Sequence, residues 1–503
     1  MTEATGIHTV GRWIRDRAAA TPDRVAIRFR GAETTFAELE RRSEQLAAGL
    51  RHRGLRRGDR VATLTANRPE HVVALFACAK AGLALVPLNW RLSREEIAYQ
   101  LADCAPALVL AEEERADLVA GADVPLRGIE SSALDELAGE ESAGPPVADE
   151  DPLLIIYTSG TTGRPKGAVL THANCFWTNL ALERTAPIDS DDVVLSVLPQ
   201  FHVGGWNVQP LLAWWVGATV VLEPGFDAER VIELLEREQV TQMMGVPATY
   251  AMLAAHERFD ECDLSRLRRA IVGGAPMPEQ LLHTYAARGV AIMQGYGLTE
   301  AAPNVLCLAP EDAERRIGWA GRPYPHVGVA LRDPVDGSLL DGPASGELLV
   351  RGPSVFAGYW GNDEATADAF ADGWLRTGDL AQRDAEGFYA LRGRLKELYI
   401  SGGENVYPAE VERVLSEHPD VAEAAVVGIP DERWGETGAA FVVATADRAL
   451  DAEALRDFAA GRLARFKVPR EIHVVAELPR TSLGKVRKEE LREPDLDSTR
   501  LHE

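Results

Sequence analysis

The sequence predicts an α/β protein: a large N-terminal domain of mixed or parallel sheets covered by helices, then a small C-terminal α+β domain. Three observations carry that prediction. Short apolar runs alternate with amphipathic stretches over most of the chain, the rhythm of βαβ units with helices on the sheet faces. After about residue 390 the pattern changes to short strand-like stretches with helices between them, in a region of roughly one hundred residues. The 503 residues leave room for two or three domains and for a sizeable core. The boundary is expected near Arg394–Leu395–Lys396, giving domains 1–394 and 395–503. No fixed-period repeat is visible.

Taken in order, TFAE from Thr35 to Glu38 reads as a capping box before a helix that Gly54 ends. VATLT at 61–65 is then a buried strand, RPEHVVALFACAKAG a helix, and LALVPL another strand. The rhythm returns in EEIAYQLADCAPALVLAEE, and again in VVLSVLP, ATVVLEP, AERVIELLEREQVTQMMGV and LRRAIVGGAP. AGEESAGPPVADEDP at 138–152 is a surface loop by composition, expected to separate two sheet units of the large domain. LLIIY is a strand, and Thr171 is placed to cap a helix at THANCFWTNLALE. Beyond residue 390, GFYALRGRLKELYISGGENVYPAEVERVL sets two short strands around a loop before a helix. AAVVGIP, AAFVVATA and EIHVVAELP add further strands.

Lysine and arginine total 53 against 77 aspartates and glutamates, a net charge of −24. That balance argues against non-specific binding to nucleic acid or anionic membrane, which both need positive fields. Cys78, Cys104, Cys175, Cys262 and Cys307 form no CxxC pair and read as reduced core thiols in a reducing compartment. The N-terminus lacks the apolar core of a secretory signal, and the longest apolar run, LLAWWVGATVVL at 211–222, is too short to span a bilayer. A cytoplasmic, soluble protein is expected.

YTSGTTGRPKG at 157–167 looks built to hold phosphate. It is not a Walker A loop, because Pro165 stands where glycine is needed and Gly167 where Ser or Thr should follow Lys166. Thr158, Ser159, Thr161 and Thr162 nevertheless supply hydroxyl donors, Gly160, Gly163 and Gly167 free the backbone to turn its N–H groups inward, and Lys166 adds a charge. The alternative for such a segment is a polar strand-to-helix turn. GYGLTE at 295–300 offers Tyr296 to stack on a base, and Thr299 and Glu300 to hold Mg²⁺ on phosphates. WLRTGDL offers Asp379 for two sugar hydroxyls, or a simple turn aspartate. In LPRTSLGKVRKEEL, Lys485 stands beside Gly484 on an exposed tip before a helix.

YTSGTTGRPKG, LPQFHVGG, GGAPMP, GYGLTE, GELLVRGP, GYW, WLRTGDL, GRLKE, SGGENVYPAEVE and PRTSLGK follow one another across nearly the whole chain. In that order they resemble the adenylate-forming superfamily, shared by AMP-forming acyl-CoA synthetases, luciferases and nonribosomal peptide adenylation domains. The likeness is greatest to the single-chain fatty acyl-CoA ligases. Leu483 before the Gly-Lys pair and Gln200 before Phe-His depart from the usual residues without removing a functional group.

The resemblance implies a carboxylic acid—CoA ligase using ATP, Mg²⁺ and coenzyme A. The acid's carboxylate attacks the α-phosphorus to give acyl-AMP and pyrophosphate, and the CoA thiol then displaces AMP. By this likeness Thr158, Ser159, Gly160, Thr161, Thr162, Gly163 and Lys166 grip the β- and γ-phosphates. Gly274, Ala275, Pro276, Gln294, Gly295 and Tyr296 form the adenine site; Thr299 meets phosphate and Glu300 the metal. Asp379 and Arg394 hold the ribose, and Lys485 is the adenylation lysine. His202 stands at the junction of acyl and thiol tunnels, although a lone histidine in an apolar stretch is otherwise a core residue. The small domain rotates between the half-reactions on a hinge at Lys396, and Gly402 and Gly403 line the pantetheine channel. An acyl pocket is expected from Val203, Trp206, Asn207, Val246, Tyr250, Ala301, Ala302 and Pro303. The absence of lysine or arginine there argues against a diacid, and favours a medium- or long-chain fatty acid. An aryl acid of hydroxycinnamate or benzoate type is the alternative, with Asn207 and Asn304 bonding a ring substituent. An adenylation enzyme that loads a carrier protein and a non-catalytic nucleotide-binding protein are further alternatives, and the oligomeric state is left open.

Overall fold

A computed structural model describes residues 6–140, 144, 146–158, 164–275, 277–313, 315–401, 404–431, 433–445, 448, 450–480 and 486–492. The chain divides into two compact units, residues 1–329 with 350–375 and residues 330–349 with 376–503.

The first unit holds a seven-stranded and a nine-stranded sheet. In the seven-stranded sheet, Pro152–Thr158, Ala84–Pro87, Arg60–Leu64, Leu108–Ala111 and Leu126–Gly128 run parallel in that spatial order. ALVP and LVLA are buried at every position, as strands covered on both faces must be. The helix Pro69–Ala81 begins with proline at its first turn, where no amide partner is lost, and ends at Gly82 with φ +69°. The helix Phe36–His52 is capped by the Thr35 hydroxyl, which accepts from the Glu38 amide.

Two expectations change here. The strand Lys166–Thr171 runs antiparallel to Pro152–Thr158, with Thr158 opposite Lys166. The glycine- and hydroxyl-rich segment is therefore flanked by two antiparallel strands rather than by a strand and a helix. Thr171 still caps the next helix, His172–Thr185, in a capping box with Asn174. Secondly, the polar segment at 138–152 does not separate two sheets. It joins two strands of the same one, Leu126–Gly128 and Pro152–Thr158.

The nine-stranded sheet takes its strands from residues 25–35 and 193–323. Six run parallel: Val25–Phe29, Thr219–Leu222, Val193–Ser196, Gln242–Gly245, Arg269–Val272 and Ile292–Gly297. Asn304–Leu308 returns antiparallel to Ile292–Gly297. Leu195, Val221, Met243, Ala270, Val272 and Ile292 bring this sheet into one core with Val231, Leu234 and Leu235 of the helix Ala228–Arg237. Trp214 is wholly buried, and its indole N–H donates to the Ala26 carbonyl, which ties the N-terminal strand to the helix Pro210–Val216.

In the second unit, residues 376–383 of the strand Trp374–Arg383 form a hairpin with Tyr389–Arg394. A five-stranded sheet follows, in which the long pair Val421–Asp431 and Gly435–Ala444 carries a core on each face. Val411 and Leu415 of the helix Pro408–Ser416 fill one, and Leu478 and Leu491 fill the other. Among the described residues no helix is long and apolar enough to cross a membrane.

Candidate active site

Four neighbouring parallel strands of the nine-stranded sheet end at Ser196, Gly245, Val272 and Gly297. Open α/β sheets take ligands outside such carboxyl ends. Gly245 pairs with Val272 and Val272 with Gln294, so the exits from three strands lie side by side. His202, Val246, Gly274, Ala275, Gln294, Gly295 and Tyr296 all sit on or just beyond these ends. Gly274 has φ +83°, a left-handed turn that glycine adopts without strain. The Gln294 side chain is buried, and its Nε2 has no hydrogen-bond partner among the described residues. A buried orphan donor is costly unless a ligand or water completes it.

The next feature gathers residues from three distant segments. Glu300 lies in the short 3₁₀ turn Thr299–Ala301, and its Oε1 accepts from the Tyr359 hydroxyl at 2.9 Å and from the Thr158 hydroxyl at 3.3 Å. The Lys166 ammonium stands 5.2 Å from the centroid of the Tyr359 ring. Thr158 and Lys166 face each other at the mouth of the hairpin, while Tyr359 joins through strand pairing with Ala168. The cluster presents a carboxylate, two hydroxyls and an ammonium at the base of the phosphate-type loop. Carboxylate and hydroxyl oxygens are the hard donors Mg²⁺ prefers. Among the described residues no three His, Cys, Asp or Glu side chains form a cage. The donor set therefore suits a Mg²⁺ ion that arrives on nucleotide phosphates.

His202 follows the strand Val193–Ser196, against the Phe201 ring at 4.5 Å. Burial, and secondarily the Arg91 charge, lowers its pKa from 6.5 to about 4, so the imidazole is neutral near pH 7. Its Nε2 is buried without a partner among the described residues. Of the expected acyl-pocket residues, Val203, Ala301 and Ala302 are buried and Val246 is half-buried. Trp206 is fully buried, donating to the Gln200 carbonyl and meeting His71 edge-on at 5.0 Å. Tyr250 is also fully buried, and its hydroxyl donates to the Ile271 carbonyl at 2.8 Å. Asn207 accepts from the Asn179 amide at 3.0 Å and donates to the Cys175 sulfur at 3.5 Å. Asn304 donates to the Thr178 hydroxyl at 3.1 Å. The polar ends of these side chains thus serve the fold.

In the second unit, Asp379 and Arg394 are opposite each other in the hairpin, with Arg394 Nε 2.6 Å from Asp379 Oδ1. The Asp379 amide donates to the Thr377 hydroxyl at 3.0 Å, which fixes the turn at Gly378. Lys396 is about half exposed, with its ammonium 3.1 Å from Glu489. Ser159, Gly160, Thr161, Thr162, Gly163, Pro276, Gly402, Gly403, Leu483 and Lys485 lie outside the described residues. All five cysteines are free and buried, and burial raises each thiol above its ordinary pKa, so none is a poised nucleophile.

Sequence reading assigned no role to Tyr359. The GYW segment was the available signal, but nothing in its spacing shows that the ring lies between Glu300 and Lys166.

Residues 14–360 match the family described as AMP-binding enzyme, and residues 410–485 match the AMP-binding enzyme C-terminal domain. The chain is 43% identical over 498 residues to an indoleacetate—CoA ligase of Aromatoleum aromaticum, covering 96% of this chain and 98% of that protein. It is 43% identical over 484 residues to a feruloyl-CoA synthase of an Amycolatopsis species, with the same coverage. A long-chain-fatty-acid—CoA ligase, FadD13, of Mycobacterium tuberculosis is 36% identical over 502 residues, covering 96% and 98%. Among solved structures, ATP-bound MatB from Rhodopseudomonas palustris superposes with a TM-score of 0.90 at 32% identity, covering 96% and 98% of the chains. An o-succinylbenzoate coenzyme A synthetase from Bacillus subtilis, in complex with ATP and a magnesium ion, gives 0.84 at 33%, covering 96% and 99%.

Proposed function

The chain belongs to the AMP-binding enzyme family and is an AMP-forming acid—CoA ligase that uses ATP, and from that premise we propose that its acid carries an aryl group on a short linker. The observation that carries the substrate reading is that relatives at 43% identity are named for indoleacetate and ferulate, whereas the fatty-acid relative stands at 36%. The expected lining supports an uncharged acyl group: Val203, Val246, Ala301 and Ala302 are apolar, and Trp206 and Tyr250 spend their polar atoms inside the fold. Asn207 is likewise engaged by Asn179 and Cys175, so an aromatic ring is held by shape and apolar contact more than by that amide. A fatty acid is the second reading, favoured by the FadD13 relative and by the same apolar lining.

In the first half-reaction the acid's carboxylate oxygen attacks the α-phosphorus of ATP, and pyrophosphate leaves. Lys166 and the loop hydroxyls would hold the β- and γ-phosphates, and Gln294 Nε2 supplies a buried donor beside the adenine site. Glu300 would hold Mg²⁺, which when bound neutralises phosphate charge and orients the leaving group. Lys485 is proposed to stabilise charge at the α-phosphate and carboxylate, and Asp379 and Arg394 to hold the ribose. In the second half-reaction the CoA thiol sulfur attacks the acyl carbonyl, its proton is lost to water, and AMP departs with its phosphate oxygen. His202, neutral and with an orphan Nε2, is suited to hydrogen bonding at the acyl carbonyl region without placing a fixed positive charge there. The hinge at Lys396 and the thiol channel at Gly402 and Gly403 belong to the same proposal.

The test is release of pyrophosphate, AMP and acyl-CoA from ATP across indoleacetate, ferulate, coumarate, benzoate, acetate and palmitate, with and without CoA. The expected result is acyl-CoA with an aryl acid at a kcat/KM at least tenfold above palmitate. Palmitate turned over best would replace the aryl reading with the fatty one. Pyrophosphate without acyl-CoA would instead point to a carrier-protein acceptor.

A further inference from the structure

We propose that Tyr359 is a positioning residue that fixes, with one side chain, both the carboxylate facing the metal and the ammonium facing phosphate. The inference rests on the reading that Glu300 and Lys166 serve a metal–nucleotide.

The placement starts in the backbone. The Ala357 amide donates to the Val169 carbonyl at 3.0 Å and the Trp360 amide to the Gly167 carbonyl at 2.8 Å, so residues 357–360 are zipped to the returning strand of the phosphate-type hairpin. One residue earlier, the Phe356 amide donates to the Glu300 carbonyl at 2.9 Å. The same short segment therefore grips the hairpin and the turn that carries Glu300. The ring is held as well: Phe356 packs edge-on at 4.9 Å, and the Tyr359 amide is pinned to the Thr366 hydroxyl at 2.9 Å.

The chemistry of the contacts suits positioning. Both hydroxyls that reach Glu300, those of Tyr359 and Thr158, fall on Oε1, and among the described residues none falls on Oε2. A neutral donor orients a carboxylate without cancelling its charge, whereas an arginine or lysine in the same place would compete with a bound cation. The ring face meanwhile attracts the Lys166 ammonium without giving it a hydrogen-bond acceptor, so its three N–H donors are not spent on this neighbour.

The experiment measures Mn²⁺ binding to the full chain by electron paramagnetic resonance, with saturating α,β-methylene ATP and no turnover. The proteins are wild type, Glu300→Gln, Tyr359→Phe and Tyr359→Leu. Tyr359→Phe keeps the ring and should weaken Mn²⁺ by about tenfold, the scale of an outer-shell partner of a metal ligand. Its affinity for the nucleotide analogue should stay within about twofold of wild type. Tyr359→Leu removes the ring too, and should weaken both. Mn²⁺ affinity unchanged in Tyr359→Phe, while Glu300→Gln loses it, would overturn the role of Tyr359 and leave Glu300 standing. Wild type that binds no Mn²⁺, or Glu300→Gln that binds it as well as wild type, would overturn the metal reading and this inference with it. A fall in Tm alone, with both affinities intact, would reduce Tyr359 to packing and refute the proposal.

Discussion

Lys488→Met should destabilise the second unit by about 3 kcal/mol, and the reason can be worked from three side chains. The ammonium lies 2.9 Å from Glu397 Oε2 and 2.6 Å from Glu412 Oε1, and the three side chains are only 17–20% exposed. Burial by itself would lower the lysine pKa; Glu412 and then Glu397 outweigh it and raise the pKa above the ordinary 10.5. Methionine keeps much of the volume but leaves two carboxylates facing each other with their shared cation gone. Breaking a buried ion pair from one side costs about 3–5 kcal/mol, and the residual exposure of this group argues for the lower end. In a unit of about 150 residues that corresponds to a fall in Tm of roughly 6–12 °C. Differential scanning calorimetry of the full chain, with limited proteolysis to place the change in residues 376–492, reads it directly. The pH dependence has a definite sign. A raised folded pKa gives stability that is complete below about 10.5 and lost as pH rises through the folded value. The difference between wild type and variant should therefore be flat from about pH 7 to 9.5 and shrink only above that. Adding Glu397→Gln and Glu412→Gln to Lys488→Met should recover most of the loss. A drop of less than about 2 °C, or no recovery in the triple variant, would refute the argument that uncompensated charge is the cause.

Gly297→Ala should damage both stability and nucleotide binding, because its new Cβ would lie 1.7 Å from the Pro303 carbonyl oxygen. Relieving that clash pushes apart the strands that place Tyr296 and Glu300, so the Kd for ATP should rise at least tenfold in calorimetry; an unchanged Kd and Tm would count against the close approach. Acid stability should be controlled by three buried histidines, since burial lowers His71 to about 3 and both His172 and His202 to about 4. The unfolded chain takes up protons from about pH 6.5 downward while the folded chain does not, so each costs about 2 kcal/mol of stability by pH 5. Nitrogen chemical shifts of labelled histidines at pH 5.5 should show three rings still neutral, and titration of all eleven near pH 6.5 would contradict this.

The parallel strands were legible in the sequence because each is both a buried apolar run and a unit of a repeating rhythm. VATL, ALVP, LVLA and TVVL needed no partner to be recognised, and the turn glycine Gly54, at φ +91°, stands just past the end of the helix Phe36–His52 that it was expected to close. The strand Lys166–Thr171 was not legible. KGAVLT begins with a lysine and a glycine that belong equally to the loop, and it stops at a residue whose capping role was the stronger local signal. Only the antiparallel register with Pro152–Thr158 makes it a strand, and that register is a long-range fact. The segment at 138–152 misled for a related reason. Polar, proline-rich composition marks a surface connection but not whether the flanking strands share a sheet.

The same distinction separates the residues of the candidate site that could be named from those that could not. Glu300, Thr158 and Lys166 announce themselves because carboxylate, hydroxyl and ammonium have chemistry of their own in any turn. A tyrosine on a two-residue edge strand has none until its neighbours are known. Tyr359 acquires a role only when pairing with Ala168 sets it beside Lys166, and when the Phe356 amide holds the Glu300 turn under its hydroxyl. Residue type thus identifies the groups proposed to touch a ligand, while backbone topology identifies the one proposed to aim them. The two kinds should fail differently on substitution. On the proposed roles, loss of Glu300 should remove the charge offered to the metal, whereas loss of the Tyr359 hydroxyl should leave that charge in place with its direction less defined.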